Sequence, residues 1–159
     1  MTDFAALLRA LTEGGVEFIV IGGMAAVAHG SAHVTVDLDI VYGRSDENME
    51  RLAVSLAPLS PYLRGVPAGL PFCFDRATIR AGLNFTLVTT VGDLDILGEA
   101  AGAGTFENLL PRSIVRQVFG LPCRFVDLET LIHLKRSAGR PKDLERVAEL
   151  EALLEESRR

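Results

Sequence analysis

The stretch from Phe18 to Val41, FIVIGGMAAVAHGSAHVTVDLDIV, decides the fold of this chain. Its apolar start predicts a buried strand over 17–21, and two glycines then break the strand before MAAVAH (24–29), which predicts a short helix. The β-rich run over 34–42 predicts a second strand. A strand, a tight turn, a helix and another strand in this order are typical of an α/β or α+β domain with a mixed sheet.

The flanking sequence continues the alternation of helices and strands. An amphipathic helix is predicted over 2–13 with Thr2 as its N-cap, and Ser45 is expected to cap a helix over 46–57. Four of the seven prolines lie in 58–71, which predicts an irregular loop or lid. The remaining predicted elements are a hairpin of strands 84–90 and 93–97, further strand at 114–119 and 123–126, a helix after Asp127, and a last helix starting at Pro141.

Length and composition favour one globular domain. The chain has 159 residues, of which 48% are hydrophobic, and this excludes a disordered or low-complexity protein. We expect a single domain over 1–159, with a core at about 14–126 and a C-terminal helical segment at about 127–157. The net charge of −5 does not indicate a large nucleic-acid footprint.

Several features predict a cytoplasmic protein with no membrane partner. No apolar run approaches the roughly 18 residues of a membrane-spanning helix. Asp3 comes early, and no basic segment precedes an apolar run, so a signal peptide is not expected. Cys73 and Cys123 are far apart and fit no metal or redox spacing, which favours reduced thiols.

The segment Asp37-Leu38-Asp39 is the main candidate for chemistry. Side chains alternate along a strand, so Asp37 and Asp39 share one face while Leu38 and Ile40 point to the core. Two neighbouring carboxylates repel each other unless a cation lies between them, and Mg²⁺ prefers such oxygen ligands. A strand with a merely solvated acidic face is the alternative.

The same pattern returns at Asp93-Leu94-Asp95-Ile96. If the two strands are neighbours, Asp95 adds a third carboxylate, and three carboxylates can hold two Mg²⁺ ions about 3.5–4 Å apart. Asp93 follows Gly92 and could equally be a turn residue.

Two further features could bind phosphate. Gly22-Gly23 ends a strand and opens a helix, where backbone N–H groups can approach an anion, although a tight turn explains the glycines equally well. The segment 135–143 concentrates Lys135, Arg136, Arg140 and Lys142 between two helices. These cations could bind phosphate, or they could simply complement a helix dipole.

In this order, the motifs resemble the DNA polymerase β-type nucleotidyltransferase superfamily. The resemblance rests on IGGMAAVAHG (21–30), VTVDLDIV (34–41) and GDLDILG (92–98). The tail LIHLKRSAGRPKDL (131–144) is similar to the Lys…Lys-Asp motif of minimal bacterial nucleotidyltransferases related to the AbiEii and MenT-type toxins. The similarity spans roughly residues 14–150.

The resemblance implies a role for each matching residue. Asp37, Asp39 and Asp95 match the metal-binding and catalytic carboxylates, and Lys135 and Asp143 match further active-site residues. The residues that match the nucleotide-binding positions are Gly22, Gly23, Thr35, Lys135 and Lys142.

The implied reaction moves a nucleoside monophosphate from an NTP to a hydroxyl-type acceptor and requires one or two Mg²⁺ ions. The acceptor could be tRNA, a protein or a small molecule such as an aminoglycoside, and a cognate antitoxin is a candidate partner. The chain departs from the usual pattern at Gly23, where Ser is common, at His33, where Arg is common, and at Arg146, where an acidic residue is common. The alternative is a non-catalytic nucleotide- or partner-binding module with the same fold.

Overall fold

The structure, a computed structural model, describes residues 1–159 and contains seven α-helices and nine strands. The helices are α1 (Phe4–Glu13), α2 (Gly22–Ala28), α3 (Asp46–Leu56), α4 (Arg76–Ala81), α5 (Phe106–Leu109), α6 (Leu128–Ala138) and α7 (Pro141–Ser157). The strands are β1 (Phe18–Ile21), β2 (Asp37–Tyr42), β3 (Tyr62–Leu63), β4 (Asn84–Thr89), β5 (Gly92–Leu97), β6 (Glu99–Ala100), β7 (Gly104–Thr105), β8 (Ser113–Val118) and β9 (Leu121–Val126).

Seven of the strands form one mixed sheet in the order β3-β4-β5-β2-β1-β9-β8. β2 pairs in parallel with β5 and antiparallel with β1, while β1 pairs in parallel with β9. The strands β6 and β7 form a separate small hairpin. The predicted mixed sheet flanked by helices is confirmed, and so is the hairpin of β4 and β5.

The core follows from the alternation of apolar residues in the central strands. Leu38, Ile40, Leu94 and Ile96 are fully buried, whereas the aspartates between them are only partly buried. The helices pack in two groups, with α1 and α3 in contact in one group and α2, α6 and α7 in contact in the other. One cluster of 35 buried hydrophobic residues joins these elements, so the aspartate-bearing strands rest on a rigid base.

Local capping signals locate most helix starts. The side chain of Ser45 accepts a hydrogen bond from the Asn48 amide and caps α3, and the side chain of Asp127 caps α6 in the same way. Pro141 is the first residue of α7, as predicted. All three signals act within one helical turn, which explains why the sequence alone is sufficient to find them.

The prediction for Thr2 is wrong. Asp3 is the N-cap of α1, where its side chain accepts from the Ala6 amide. The Thr2 hydroxyl instead donates to the Val36 carbonyl oxygen and accepts from the Asp93 amide. Thr2 therefore connects the residue before β2 to the second residue of β5, a tertiary role that its sequence position does not indicate.

Other differences concern the ends of elements. The second strand begins at Asp37 rather than at 34, and the glycine pair forms the first residues of α2 rather than a separate turn. The proline-rich segment 58–71 contains the short strand β3, which pairs with β4 at the edge of the sheet. No helix has the length and apolar character needed to cross a membrane. Both cysteines are free thiols.

Candidate active site

The two aspartate-bearing strands lie side by side in register. Asp37 pairs with Asp93 and Asp39 pairs with Asp95 along the parallel β2–β5 ladder. Because residues in register on neighbouring strands project to the same face, four carboxylates share one face of the sheet. Asp93 lies within β5, so the alternative of a turn residue is excluded.

The glycine pair makes room for this face. Gly22 has a φ of +68°, a region that favours glycine, and a Cβ at Gly22 would overlap the Asp39 carboxylate. A Cβ at Gly23 would overlap the side chain of Thr35. The first turn of α2 therefore approaches the Asp39 carboxylate and the Thr35 side chain closely, which only glycines allow.

The crowding of carboxylates changes the ionisation of Asp39. The pKa of Asp39 is raised to about 8, and burial is the largest cause. The charge of Asp95, its hydrogen bond to Asp39 and the charge of Asp37 add to the rise, while Lys135 opposes it. The part of this shift that the charges of Asp95 and Asp37 cause reflects a negative local potential, which favours a cation.

Opposite the carboxylates lies a basic wall built by α6 and α7. The Lys135 side chain is only 14% exposed, and its Nζ lies 3.6 Å from Oδ1 of the buried Asp143. Arg140 binds Asp143 through Nε (2.6 Å to Oδ2) and Nη2 (3.2 Å to Oδ1). The hydrogen bonds from Arg140 hold the pKa of Asp143 below its usual range. Asp143 therefore fixes the two cations at the mouth of the site.

The space between these walls is a cavity of about 220 Å³. It is lined by Asp37, Asp39 and Asp95 on one side and by basic residues on the other. All the residues assigned a role from the sequence line this cavity, except Gly22, which lines an adjoining cavity of about 270 Å³ that shares Asp39, Asp95 and Lys135. A larger cavity of about 780 Å³ continues past Leu97, Ala100 and Ala101 to His133.

The sequence analysis missed Arg64. Its guanidinium lies 2.9 Å from Asp95 Oδ1, 3.6 Å from Asp93 Oδ2 and 3.9 Å from Asp37 Oδ2. Arg64 is the sole charged residue between Arg51 and Asp75. A lone arginine in a long uncharged segment is a signal that could have identified it, because such a charge needs a partner when it is partly buried.

The donor set of this face suits a divalent cation. Carboxylate oxygens are the ligands that Mg²⁺ prefers, and Asp95 Oδ1 is buried without a properly aligned hydrogen bond. In this structure, no three Asp, Glu, His or Cys side chains lie close enough together to coordinate one metal ion. The Arg64 guanidinium lies among the carboxylates and pairs with Asp95 Oδ1 and Asp37 Oδ2, which are oxygens that a cation would need. Asp37, Asp39 and Asp95 nevertheless fit a Mg²⁺ site in ligand type and in the face that they share.

Comparison with known proteins identifies the fold. The sequence matches no protein-family model and no curated protein. The structure is similar to a crystal structure from Thermotoga maritima described as a putative nucleotidyltransferase, with a TM-score of 0.60 and 16% sequence identity. The match covers 98% of this chain and 96% of that chain. The chain therefore has the fold of that protein over its whole length.

Proposed function

We propose that this chain is a Mg²⁺-dependent nucleotidyltransferase that moves a nucleoside monophosphate from an NTP to a hydroxyl-bearing acceptor. The observation that carries the proposal is the pairing of Asp37 and Asp39 with Asp93 and Asp95, opposite Lys135 and Arg140. A carboxylate wall repels a polyphosphate, whereas a basic wall attracts one. A cleft with both walls suits a polyphosphate that carries a divalent cation between its oxygens and the carboxylates.

Each residue has a stated role in this reaction. Asp37, Asp39 and Asp95 would hold Mg²⁺, which when bound stabilises negative charge on the transferring phosphate. Lys135 binds phosphate oxygens from the opposite wall, and the exposed Lys142 adds charge at the entrance. Gly22 and Gly23 let the backbone approach the polyphosphate, while Thr35 packs against Gly23. Asp143 acts through Lys135 and is a positioning residue.

The transfer itself requires mainly positioning. The acceptor oxygen forms a bond to the α-phosphorus, and the bond from that phosphorus to the pyrophosphate oxygen breaks. The acceptor hydroxyl proton passes to a carboxylate of the cleft, and we assign this role to Asp95, which lines both adjoining cavities. Lys135 and Arg140 stabilise the pyrophosphate that leaves.

A candidate position for the acceptor adjoins the cleft. The cavity of about 780 Å³ beyond Leu97 has the size of a small-molecule site and adjoins the cleft. A tRNA end or a protein hydroxyl could reach the same place. We further propose a relation to the AbiEii and MenT-type toxins, based on the 131–144 motif, with a cognate antitoxin as partner and the cytoplasm as location.

The test uses four α-³²P-labelled NTPs with Mg²⁺ and three acceptor pools: total tRNA, cell protein extract and a set of aminoglycosides. The Asp37→Ala/Asp39→Ala double variant is the inactive control. Glu47→Ala/Glu50→Ala is the matched charge control, because both residues are exposed on α3 and line none of these cavities. We expect label in one pool with the wild type and with Glu47→Ala/Glu50→Ala, and none with the Asp37→Ala/Asp39→Ala variant.

The outcomes separate the two candidate functions. Label transfer by the Asp37→Ala/Asp39→Ala variant would contradict the assigned carboxylates. NTP binding without transfer to any pool would favour the non-catalytic binding module, for which the ion pairs of Arg64 with the carboxylates are the supporting observation. A protein that binds no NTP would contradict both functions.

A further inference from the structure

Arg64 lies in line with the aspartates across four strands. Its amide donates to the Thr86 carbonyl oxygen, Thr86 pairs with Asp95, and Asp95 pairs with Asp39. Residues in one row of a sheet project to the same face. The Arg64 side chain can therefore reach across β4 and lie against the carboxylates of β2 and β5.

The contacts of Arg64 with these carboxylates are close but poorly aligned. Nη2 lies 2.9 Å from Asp95 Oδ1, although neither that oxygen nor the buried Arg64 Nε makes a properly aligned hydrogen bond. The one well-formed hydrogen bond of the guanidinium runs from Nη2 to the Leu87 carbonyl oxygen at 2.6 Å. Its carboxylate contacts are thus mainly electrostatic, which is the type of contact that another cation can replace.

The segment that follows Arg64 is anchored independently of these ion pairs. The Tyr62 hydroxyl lies within hydrogen-bond distance of the Pro67 and Leu70 carbonyl oxygens. The ring of Tyr62 also packs edge-on against Phe72, at 5.9 Å between centroids. The segment therefore keeps its place when the Arg64 side chain changes its partners.

We infer that Arg64 competes with a divalent cation for the carboxylates of Asp95 and Asp37. The inference rests on the divalent site of the proposed function and names the residue that sets its affinity. Mg²⁺ needs carboxylate oxygens at about 2.0–2.1 Å in octahedral geometry, which leaves no room for a guanidinium on the same oxygen lone pairs. Arginine does not lose its proton, so only displacement can remove its charge from the site.

Displacement costs little because Arg64 already has a second partner. When the guanidinium leaves Asp95, the hydrogen bond to the Leu87 carbonyl oxygen can be kept. Asp93, which lines neither cleft cavity, lies 3.6 Å from Arg64 Nε and can retain the ion pair. Asp93 would then hold Arg64 at the edge of the site while the other three carboxylates bind the cation.

The test measures Mn²⁺ affinity by the loss of the free-ion electron paramagnetic resonance signal, with no nucleotide or acceptor present. Wild type is compared with Arg64→Gln, with Arg64→Lys, and with Arg76→Gln as the matched control. Arg76 lies 3.7 Å from Glu50, is 50% exposed and lines neither cleft cavity. Circular dichroism and thermal unfolding verify that each variant is folded.

We expect Arg64→Gln to bind Mn²⁺ about tenfold more tightly than wild type, because a full positive charge leaves the site. Arg64→Lys should lie between them, since the ammonium keeps the charge but cannot span three carboxylates. Arg76→Gln should equal wild type. If Arg64→Gln does not fold, the test rests on Arg64→Lys, which should bind Mn²⁺ more tightly than wild type.

Three results would overturn the inference, and they are distinguishable. Equal affinity in wild type and folded Arg64 variants removes the competition but leaves the divalent site intact. Weaker binding by the variants would make Arg64 a supporting residue of that site. If neither wild type nor any folded variant binds Mn²⁺, the divalent site of the proposed function fails with the inference.

Discussion

The segments Asp37–Ile40 and Asp93–Ile96 carry the same four residues, Asp-Leu-Asp-Ile, and pair in parallel and in register. Their neighbours are nevertheless different. In β2, Asp39 faces Gly22 and Lys135, whereas Asp93 and Asp95 of β5 face Arg64, which reaches them across β4. Burial and the charges of Asp95 and Asp37 raise the pKa of Asp39, while Asp93 and Asp95 both lie close to the Arg64 guanidinium.

This difference shows that a short motif does not define a carboxylate's chemistry. Each strand supplies the same alternation, but the strands next to it decide which charges surround its aspartates. β2 lies in the middle of the sheet and carries the residues that face the cleft. We therefore expect the two segments to respond differently to the same substitution.

The largest expected effect is on catalysis. Asp39→Asn should lower the rate of nucleotidyl transfer by about a hundredfold to a thousandfold, because a carboxylate at the centre of the cleft is lost. Asp93→Asn, two residues before Asp95, the register partner of Asp39, should cost less than about tenfold because Asp93 lines neither cleft cavity. Steady-state rates with the identified acceptor measure both. Equal losses would contradict the placement of Asp93 outside the cleft.

The second prediction concerns Gly22, the first residue of α2, which lies against the Asp39 carboxylate. Gly22→Ala should lower the free energy of unfolding by about 3 kcal/mol, since a positive φ and overlap with Asp39 combine. Gly120→Ala is the control, because Gly120 has a φ of +75° with nothing within 4 Å of a Cβ. It should cost only about 1–2 kcal/mol. Urea unfolding measures both, and equal costs would contradict the close approach to Asp39.

The third prediction contrasts Asp39 with Asp143, a carboxylate whose neighbours are cations. Asp143→Asn should lower the free energy of unfolding at pH 7 by about 2 kcal/mol, because charged hydrogen bonds with Arg140 are weakened. Glu145→Gln, an exposed change on the same helix, should have little effect.

The pH dependence of this loss has a definite sign. The folded pKa of Asp143 is lowered, so its stabilising effect is complete above the unfolded pKa of about 3.9 and is lost as the pH falls through the folded value. The difference in stability between wild type and Asp143→Asn should therefore shrink in acid. A difference that stays constant from pH 7 to pH 2 would contradict the assigned charge.

The smallest predicted effect concerns Thr2, whose hydroxyl links the starts of β2 and β5. Thr2→Val removes the hydroxyl that bridges the Val36 carbonyl oxygen and the Asp93 amide, and should cost about 1 kcal/mol. Thr2→Ser keeps the hydroxyl and should be close to wild type. Thermal unfolding of both variants checks this, and equal stability of Thr2→Val and Thr2→Ser would show that the bridge contributes nothing.

Much of the site was predictable because its pattern is local. The period-two alternation placed Asp37 and Asp39 on one face, and the repeated motif identified Asp95 as a candidate neighbour. Lys135 was found through the basic segment 135–143, Asp143 was assigned through a resemblance, and both line the cleft. Caps at Ser45 and Asp127 were found because each acts within a few residues of its own position.

The missed features depend on contacts between distant residues. Thr2 and Asp3 are both good N-cap residues, and the choice between them was made by bonds from Thr2 to Val36 and Asp93. The strand β3 is two residues long, and its pairing with β4 defines it. Arg64 belongs to the site only because β3 and β4 bring it alongside β5.

Three features can be read from the sequence: the alternation that separates aspartates from core residues, the main helices, and the glycines that follow β1. These depend on backbone preferences and side-chain periodicity, which act over a few residues. The pairing of the two Asp-Leu-Asp-Ile segments in register, and the cations that face each of them, emerge from the folded molecule. Strand order and register depend on packing of the whole sheet, and electrostatic environment depends on distance in space rather than along the chain.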